Sequence, residues 1–176
     1  MFLSHQTITK YLDEGLITVQ PEFEMKDIRP AGIRLHLGKG IFIPESGQTV
    51  ELGGGSELQY KEIDISEEPF ILAPNEFVLG ATYESIKTPP NILAILDGRS
   101  TVARLGLTVH ATASICDGTL ESPQVIVLEI KNIGNFNLKL KFKDPIAMMV
   151  FAELNAPVTQ YAQTQYLGWG DKLSET

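Results

Sequence analysis

The stretch LDGRSTVARLGLTVHATAS, residues 96–114, places Arg99 and Arg104 five positions apart among apolar neighbours, in a chain of net charge −8. Guanidinium groups beside the hydroxyls of Ser100 and Thr101 form a donor set suited to an anion, phosphate best of all, because each fork matches two oxygens. The spacing predicts a short helix, with Ser100 as its N-cap and Gly106 as its stop. Ser100 and Arg104 then share a face, and the N–H groups at the helix mouth add to the anion site. A simpler reading pairs both arginines with Asp97 and another surface acid.

Glu129 is the second candidate for chemistry. In QVIVLEIKN, Ile126, Leu128 and Ile130 alternate with Val125, Val127 and Glu129, so a strand sets the carboxylate and Val127 on the face opposite the first set. A carboxylate at the end of an apolar strand is a candidate proton shuttle, and a solvent-facing glutamate is the simpler alternative. Asp117, in SICDGT, precedes Gly118, where a turn aspartate ordinarily bonds its own loop. His5, His36 and His110 show no metal-ligand spacing, and the P-C-x-x-C half of a hydrolytic zinc signature is absent, so zinc chemistry is not expected. The single cysteine, Cys116, excludes an internal disulfide, suits a reducing cytosol and reads as packing. Tyr166 and Trp169 in the tail are placed to stack on a base or to pin the tail to the body.

The elements that position these groups follow from the rest of the pattern. A chain of 176 residues, 43% hydrophobic and 20% charged, suits one globular domain. The acidic balance argues against a broad basic surface for duplex nucleic acid. MFLSHQTITKYLDEG has no signal-peptide pattern, and no apolar run reaches the roughly 18 residues of a membrane span, so a cytoplasmic protein without a membrane partner is expected. A helix opens the chain: Ser4 is its N-cap, Ile8, Tyr11 and Leu12 share a face, and Gly15 stands at the C-cap. Short apolar or alternating runs follow: LITVQ, GIRLHLG, GIFIP, QTVEL, PFILAP, EFVLGATY, NILAIL, LTVHAT, QVIVLEIKN, NLKLKF and IAMMVFAEL. Strands of this number after one helix predict a β-sandwich or distorted barrel, with LGGGSE as a loop and the polar tail as a mobile arm.

With these residues in view, DGRSTVARLGLTVHATAS closely resembles the G-R-S-S-x-x-R-x-G-L-x-x-H-x-T-A motif of the dCTP deaminase family, within the trimeric dUTPase-like superfamily. LSHQTITKYLDEGLITVQP is similar to the family's first helix and strand, IRPAGIRLHLG to its Q-P-A-S-V-D-L-R-L-G segment, and VIVLEIKN to the strand that bears its catalytic glutamate. The resemblance implies a mainly β, distorted jelly-roll domain over 1–176, with a short N-terminal helix, a short helix at the phosphate site and a flexible arm over 155–176. It implies a homotrimer with sites between chains, acting on dCTP with magnesium carried by the triphosphate, and leaves dTTP feedback open. Arg99, Ser100, Thr101 and Arg104 would grip the triphosphate, with Ser100 and Arg104 also ordering the attacking water. Ala113 would offer that water its carbonyl, Asp117 would hold the deoxyribose 3′-hydroxyl, and Glu129 would shuttle protons. Val127, Tyr161, Gln165 and Trp169 would complete the nucleotide pocket.

The implied reaction is deamination of dCTP to dUTP. The alternatives are a bifunctional enzyme that continues to dUMP and pyrophosphate, and a non-catalytic nucleotide-binding homologue. The chain also departs from the family pattern. Arg34 stands at the aspartate of V-D-L-R, followed by His36, and CDGTLESPQ is two residues longer than the family's loop before the glutamate. Gln165 replaces a lysine and Trp169 a glutamine, and LGWGD resembles the glycine-aromatic-glycine arm of dUTPases.

Overall fold

The computed structural model describes residues 1–21, 24–51, 58–116, 120 and 122–159. The LGGGSE loop, Asp117, and the tail residues Tyr161, Gln165, Tyr166 and Trp169 lie outside the described residues. Helix α1 (His5–Asp13) follows an extended Ser4, buries Ile8 completely, and gives way at Gly15, whose φ of +67° a side chain would resist. Ser4 holds the N-cap position but makes no capping bond to the backbone; its hydroxyl lies 3.4 Å from that of Thr7.

Apart from a 3-10 turn at Met25–Asp27 and one short helix, the regular structure of the remaining described chain is strand. In order come β1 (Thr18–Gln20), β2 (Ile28–Arg29), β3 (Gly32–Pro44), β4 (Tyr60–Asp64), β5 (Phe70–Leu72), β6 (Phe77–Lys87) and β7 (Ile92–Gly98). After the one-turn helix α2 (Ser100–Ala103) come β8 (Leu107–Thr108), β9 (Ile115–Cys116), β10 (Gln124–Asn132), β11 (Leu138–Leu140) and β12 (Pro145–Glu153). A ten-stranded sheet runs β8-β10-β6-β3-β12-β7-β9, with β1 on β6 and both β2 and β4 on β3, while β5 pairs with β11. Alternation puts Leu35, Leu37, Ile41, Leu128, Ile130, Met149 and Phe151 inside one core.

Three register irregularities interrupt this sheet, one of them on β12–β3 between Pro145↔His36 and Ala147↔Leu35, and the other two lie on β6. The β3–β6 register jumps between Leu37↔Thr82 and Ile41↔Gly80, and the β10–β6 register jumps between Val125↔Ser85 and Val127↔Ala81. Bulges of this kind raise local twist and let a sheet curl over its own core. At the β3–β6 jump, Gly38 is needed for clearance, since a Cβ there would sit 3.0 Å from the Ala81 carbonyl oxygen. At the β10–β6 jump, the Thr82 hydroxyl donates to the Glu84 carbonyl at 2.6 Å and accepts the Ile126 N–H at 2.9 Å, replacing a lost ladder bond.

Several expected strands change in extent. GIRLHLG and GIFIP are one 13-residue strand, β3. QTVEL forms no strand over its described residues 48–51, because the Gln48 side chain does the pairing, donating to the carbonyls of Glu45 and Gln59 and accepting the Gln59 N–H. LTVHAT keeps only Leu107–Thr108 as strand, since the segment after it turns across to β7. The charged run YKEID, not foreseen as a strand, forms edge strand β4 on β3.

Candidate functional site

The arginine stretch lies between β7 and β8. Arg99 has extended backbone, φ −105° and ψ 134°, and occupies the N-cap position, so Ser100 is the first helical residue and not the cap expected from the sequence. No side chain caps the helix, and one turn of four residues carries little of the aligned dipole that a helix mouth offers an anion. The stop at Gly106 stands: its φ is +79°, and a Cβ there would lie 2.6 Å from the Gly134 amide nitrogen. Buried Asn132 fixes that contact, accepting the Gly134 N–H at 2.9 Å and donating to the carbonyls of Leu72 and Phe136.

The two arginines differ. Arg104, Ser100 and Thr101 are exposed, whereas Arg99 is half-buried, so burial of both guanidiniums is not a property of the single chain. The simpler pairing with Asp97 is not made either. Asp97 accepts its neighbour's Gly98 N–H at 2.7 Å and lies 3.7 Å from His110 Nε2. Arg99 Nη1 donates instead to the Pro145 carbonyl oxygen on β12. Burial pushes its guanidinium below the usual arginine range, and the charges of Arg34 and Arg29 push the same way, against Asp27.

Glu129 sits on the half-exposed face of β10 with Val125 and Val127, while Ile126, Leu128 and Ile130 are buried, as their alternation predicts. Its N–H donates to the Val109 carbonyl at 3.0 Å, and its Oε2 accepts the Ala111 N–H at 2.6 Å. A carboxylate held through one oxygen by a backbone donor is fixed in direction. Its Oε1 has no partner among the described residues. The segment holding it is tied to β7 as well, because the Leu96 N–H donates to the Ser114 carbonyl at 2.7 Å. Exposed Ala113 therefore lies on the short bridge between Ala111 and Ser114. Val127 packs against the small cluster of Phe42 and Ala81, and Cys116 packs on the main core.

Among the described residues no hydrogen bond or ion pair joins Glu129 to Arg99, Ser100, Thr101 or Arg104. The sequence-predicted residues thus form two groups: Glu129 and Ala113 around the β8–β9 segment, and Arg99 to Arg104 around α2.

Beside the second group lies a buried polar chain that sequence reasoning missed. Arg34 Nη1 meets Asp27 Oδ1 at 3.2 Å, and His36 Nε2 lies 3.9 Å from the same oxygen. His36 Nδ1 contacts Glu84 Oε1 at 2.5 Å, and the His36 N–H donates to Glu84 Oε2 at 2.9 Å. Asp27 and Glu84 are almost fully buried. The only sequence signal for this chain was the pair of departures at Arg34 and His36, because their acidic partners come from other segments. His110, weighed in the sequence only as a metal ligand, and the Ala111 N–H were likewise not foreseen in these contacts, although both lie in the motif itself.

A mainly antiparallel sheet curled over a single core, with a glycine-stopped turn carrying two arginines and a facing-strand glutamate, defines the class of protein. The family model described as dCTP deaminase-like matches residues 2–154, and the chain belongs to that family. It is 38% identical over 160 residues to a protein of Methanosphaera stadtmanae named dCTP deaminase, dUMP-forming, covering 88% of this chain and 80% of that one. It is 33% identical over 164 residues to a Natronomonas pharaonis protein named dCTP deaminase, covering 89% and 83%. Among solved structures, the 2′-deoxycytidine 5′-triphosphate deaminase of Agrobacterium tumefaciens shares the fold with a TM-score of 0.66 at 17% identity. That match covers 85% of this chain and 47% of the other, so the chain spans about half the length of that solved protein. No helix among the described residues is long and apolar enough to cross a membrane.

Proposed function

We propose that the protein hydrolyses dCTP to dUTP and ammonia, with Glu129 as the group that moves protons. The setting of Glu129 carries the reading: a half-exposed carboxylate, aimed by the Ala111 N–H at 2.6 Å, on the strand beside the signature stretch. Glu129 takes a proton from a water as that water attacks C4 of cytosine, and passes it to N3. It then relays the hydroxyl proton of the tetrahedral intermediate to the amino group, which leaves as ammonia while the C4 carbonyl forms. Ala113 offers its carbonyl to the attacking water, with Ser100 and Arg104 ordering it. Arg99, Ser100, Thr101 and Arg104 grip the triphosphate, Asp117 holds the 3′-hydroxyl, and Val127, Tyr161, Gln165 and Trp169 border the nucleotide. Among the described residues no cluster of three His, Cys, Asp or Glu is built to hold a metal, and Asp27 is already engaged by Arg34. In this reading magnesium enters on the phosphate oxygens, as part of the substrate.

The two groups of site residues meet when copies of the chain assemble, in this reading as a homotrimer. The support is an apolar outer face on the β9-β7-β12 part of the sheet. Half-exposed Ile95 stands between exposed Ile115 on β9 and Val150 on β12, and Leu93 stands opposite Ala152, which also pairs with exposed Phe2. A second copy on that face would remove these side chains from water and cover the arginines at its border.

A second reading has its own support, since the relatives from Methanosphaera stadtmanae and Dictyoglomus thermophilum are named dUMP-forming. One experiment separates the two. The protein is incubated with dCTP and magnesium, and dUTP, dUMP, ammonia and pyrophosphate are resolved. Ammonia with dUTP supports the first reading, ammonia with dUMP and pyrophosphate the second, and no ammonia overturns both.

A further inference from the structure

We propose that Arg29, Arg34 and Arg99 form one polyphosphate subsite, in which Arg29 and Arg34 hold the terminal phosphates of the nucleotide whose nearer phosphates the 99–104 stretch grips. This deepens the reading of a nucleoside triphosphate substrate and rests on it. The geometry begins with the strands. Arg34 on β3 lies opposite Met148 on β12, which lies opposite Asp97 on β7, so Arg34 and the entry to α2 occupy one side of three neighbouring strands. Two residues along, His36 lies opposite Pro145, and the Pro145 carbonyl is the group that receives Arg99 Nη1. The Arg99 head is therefore held on β12, the strand next to β3, at the residue opposite His36 and two positions along β3 from Arg34. Arg29 joins them from β2, which pairs with β3 at Gly32.

Three guanidiniums stand together here against two buried carboxylates, Asp27 and Glu84, and Glu84 is already bonded to His36, so positive charge is left over. Asp27 meets Arg34 at 3.2 Å, whereas Arg29 has no ion pair among the described residues. Burial and the two neighbouring arginines all disfavour the charge on Arg99. Like charges held together in a partly buried place are costly unless an anion arrives, and in an acidic chain of net −8 such a concentration is local, not general. A polyphosphate fits because each fork spans two oxygens and the charge is spread along the anion. Asp27 has the positioning role: it holds Arg34 in place and offsets part of the repulsion while the subsite is empty. Arg29 and Arg34 are also where IRPAGIRLHLG departs from Q-P-A-S-V-D-L-R-L-G, at the glutamine and the aspartate, so these two guanidiniums distinguish this chain from the family pattern.

The test uses the full chain and magnesium-free inorganic tripolyphosphate, with dCMP as the control, measured by calorimetry alongside the oligomer mass from light scattering. Arg29→Ala removes an exposed charge, and Arg34→Lys keeps a charge against Asp27 while losing the fork. Tripolyphosphate affinity is expected to fall about threefold to fivefold in Arg29→Ala and about tenfold in Arg34→Lys, with dCMP affinity and oligomer mass unchanged. Affinity unchanged in both variants overturns the subsite. So does a loss that tracks dissociation of the oligomer, which would assign the arginines to a neighbouring copy's carboxylates. Should Arg34→Lys fail to fold, Arg29→Ala decides alone. Tripolyphosphate binding needs no turnover, so a wild-type protein that binds it through these arginines but releases no ammonia from dCTP would sink the deaminase reading and leave the subsite standing.

Discussion

Glu129 and Arg34 are both charged residues on long central strands, and the fold treats them in opposite ways. Glu129 is half-exposed, is aimed by a single backbone N–H from Ala111, and keeps one oxygen without a partner among the described residues. Arg34 is mostly covered and is held by nearly buried Asp27 at 3.2 Å. A group that must gain and lose a proton needs direction without a permanent counter-charge, since a fixed partner would lock one protonation state. A group that must stay charged and still needs the reverse. In the proposed function, the first region reacts and the second holds.

The largest expected effect breaks the reactive side. Glu129→Gln keeps a carbonyl oxygen for the Ala111 N–H, so folding is retained, while the amide cannot take and return a proton. kcat should fall by about 10²–10⁴-fold or more, with dCTP affinity nearly unchanged by calorimetry. A variant keeping more than about a tenth of wild-type kcat would remove the shuttle. Its failure to fold would make Glu129 a packing residue.

On the holding side, Asp27→Ala leaves the Arg34 charge without its partner. Removing one member of a buried pair costs about 3 kcal/mol at the lower end, which applies because the Arg34 side chain is still 21% exposed. Urea denaturation should show a clearly lower midpoint, and an unaltered one would mean that the pair positions nothing. Arg104→Ala should show the smallest change. Arg104 is exposed and without an ion pair among the described residues, so the melting temperature should stay put. Binding of dCTP should weaken by about 1.5–3 kcal/mol through loss of a charge-assisted contact to phosphate. A collapse of the melting temperature with unchanged affinity would reverse its role.

What the sequence revealed follows the range of the forces involved. The alternation of QVIVLEIKN matched β10 because period-two burial is local and strong. Gly15 and Gly106 marked the ends of their helices because positive φ is a property of one residue. YKEID was missed because edge strand β4 buries little, with Lys61, Glu62 and Asp64 in solvent, and is held by backbone pairing to β3 that no side-chain pattern records. QTVEL misled for the opposite reason: its pattern alternates, yet the Gln48 side chain supplies the bonds a strand would have made. Ser100 has the chemistry of an N-cap but lost that position to Arg99, whose extended backbone continues β7 directly into the turn. The Glu84–His36–Asp27–Arg34 chain joins residues up to 57 positions apart through two bulged strands, and nothing local announces it.

In the proposed assembly, the reactive region and the holding region of one site come from different copies of the chain. The direct measurement mixes two inactive variants, Glu129→Gln and Arg99→Ala, after dissociating and reassembling them together at equal concentration. Each site then draws its glutamate and its arginine independently, so random assembly leaves about a quarter of the sites intact. Ammonia release from dCTP is expected at about a quarter of the wild-type rate in the mixture, against almost none from either variant reassembled alone. A mixture that exchanges subunits and stays as inactive as its parents would place both regions of each site within a single copy and contradict the account.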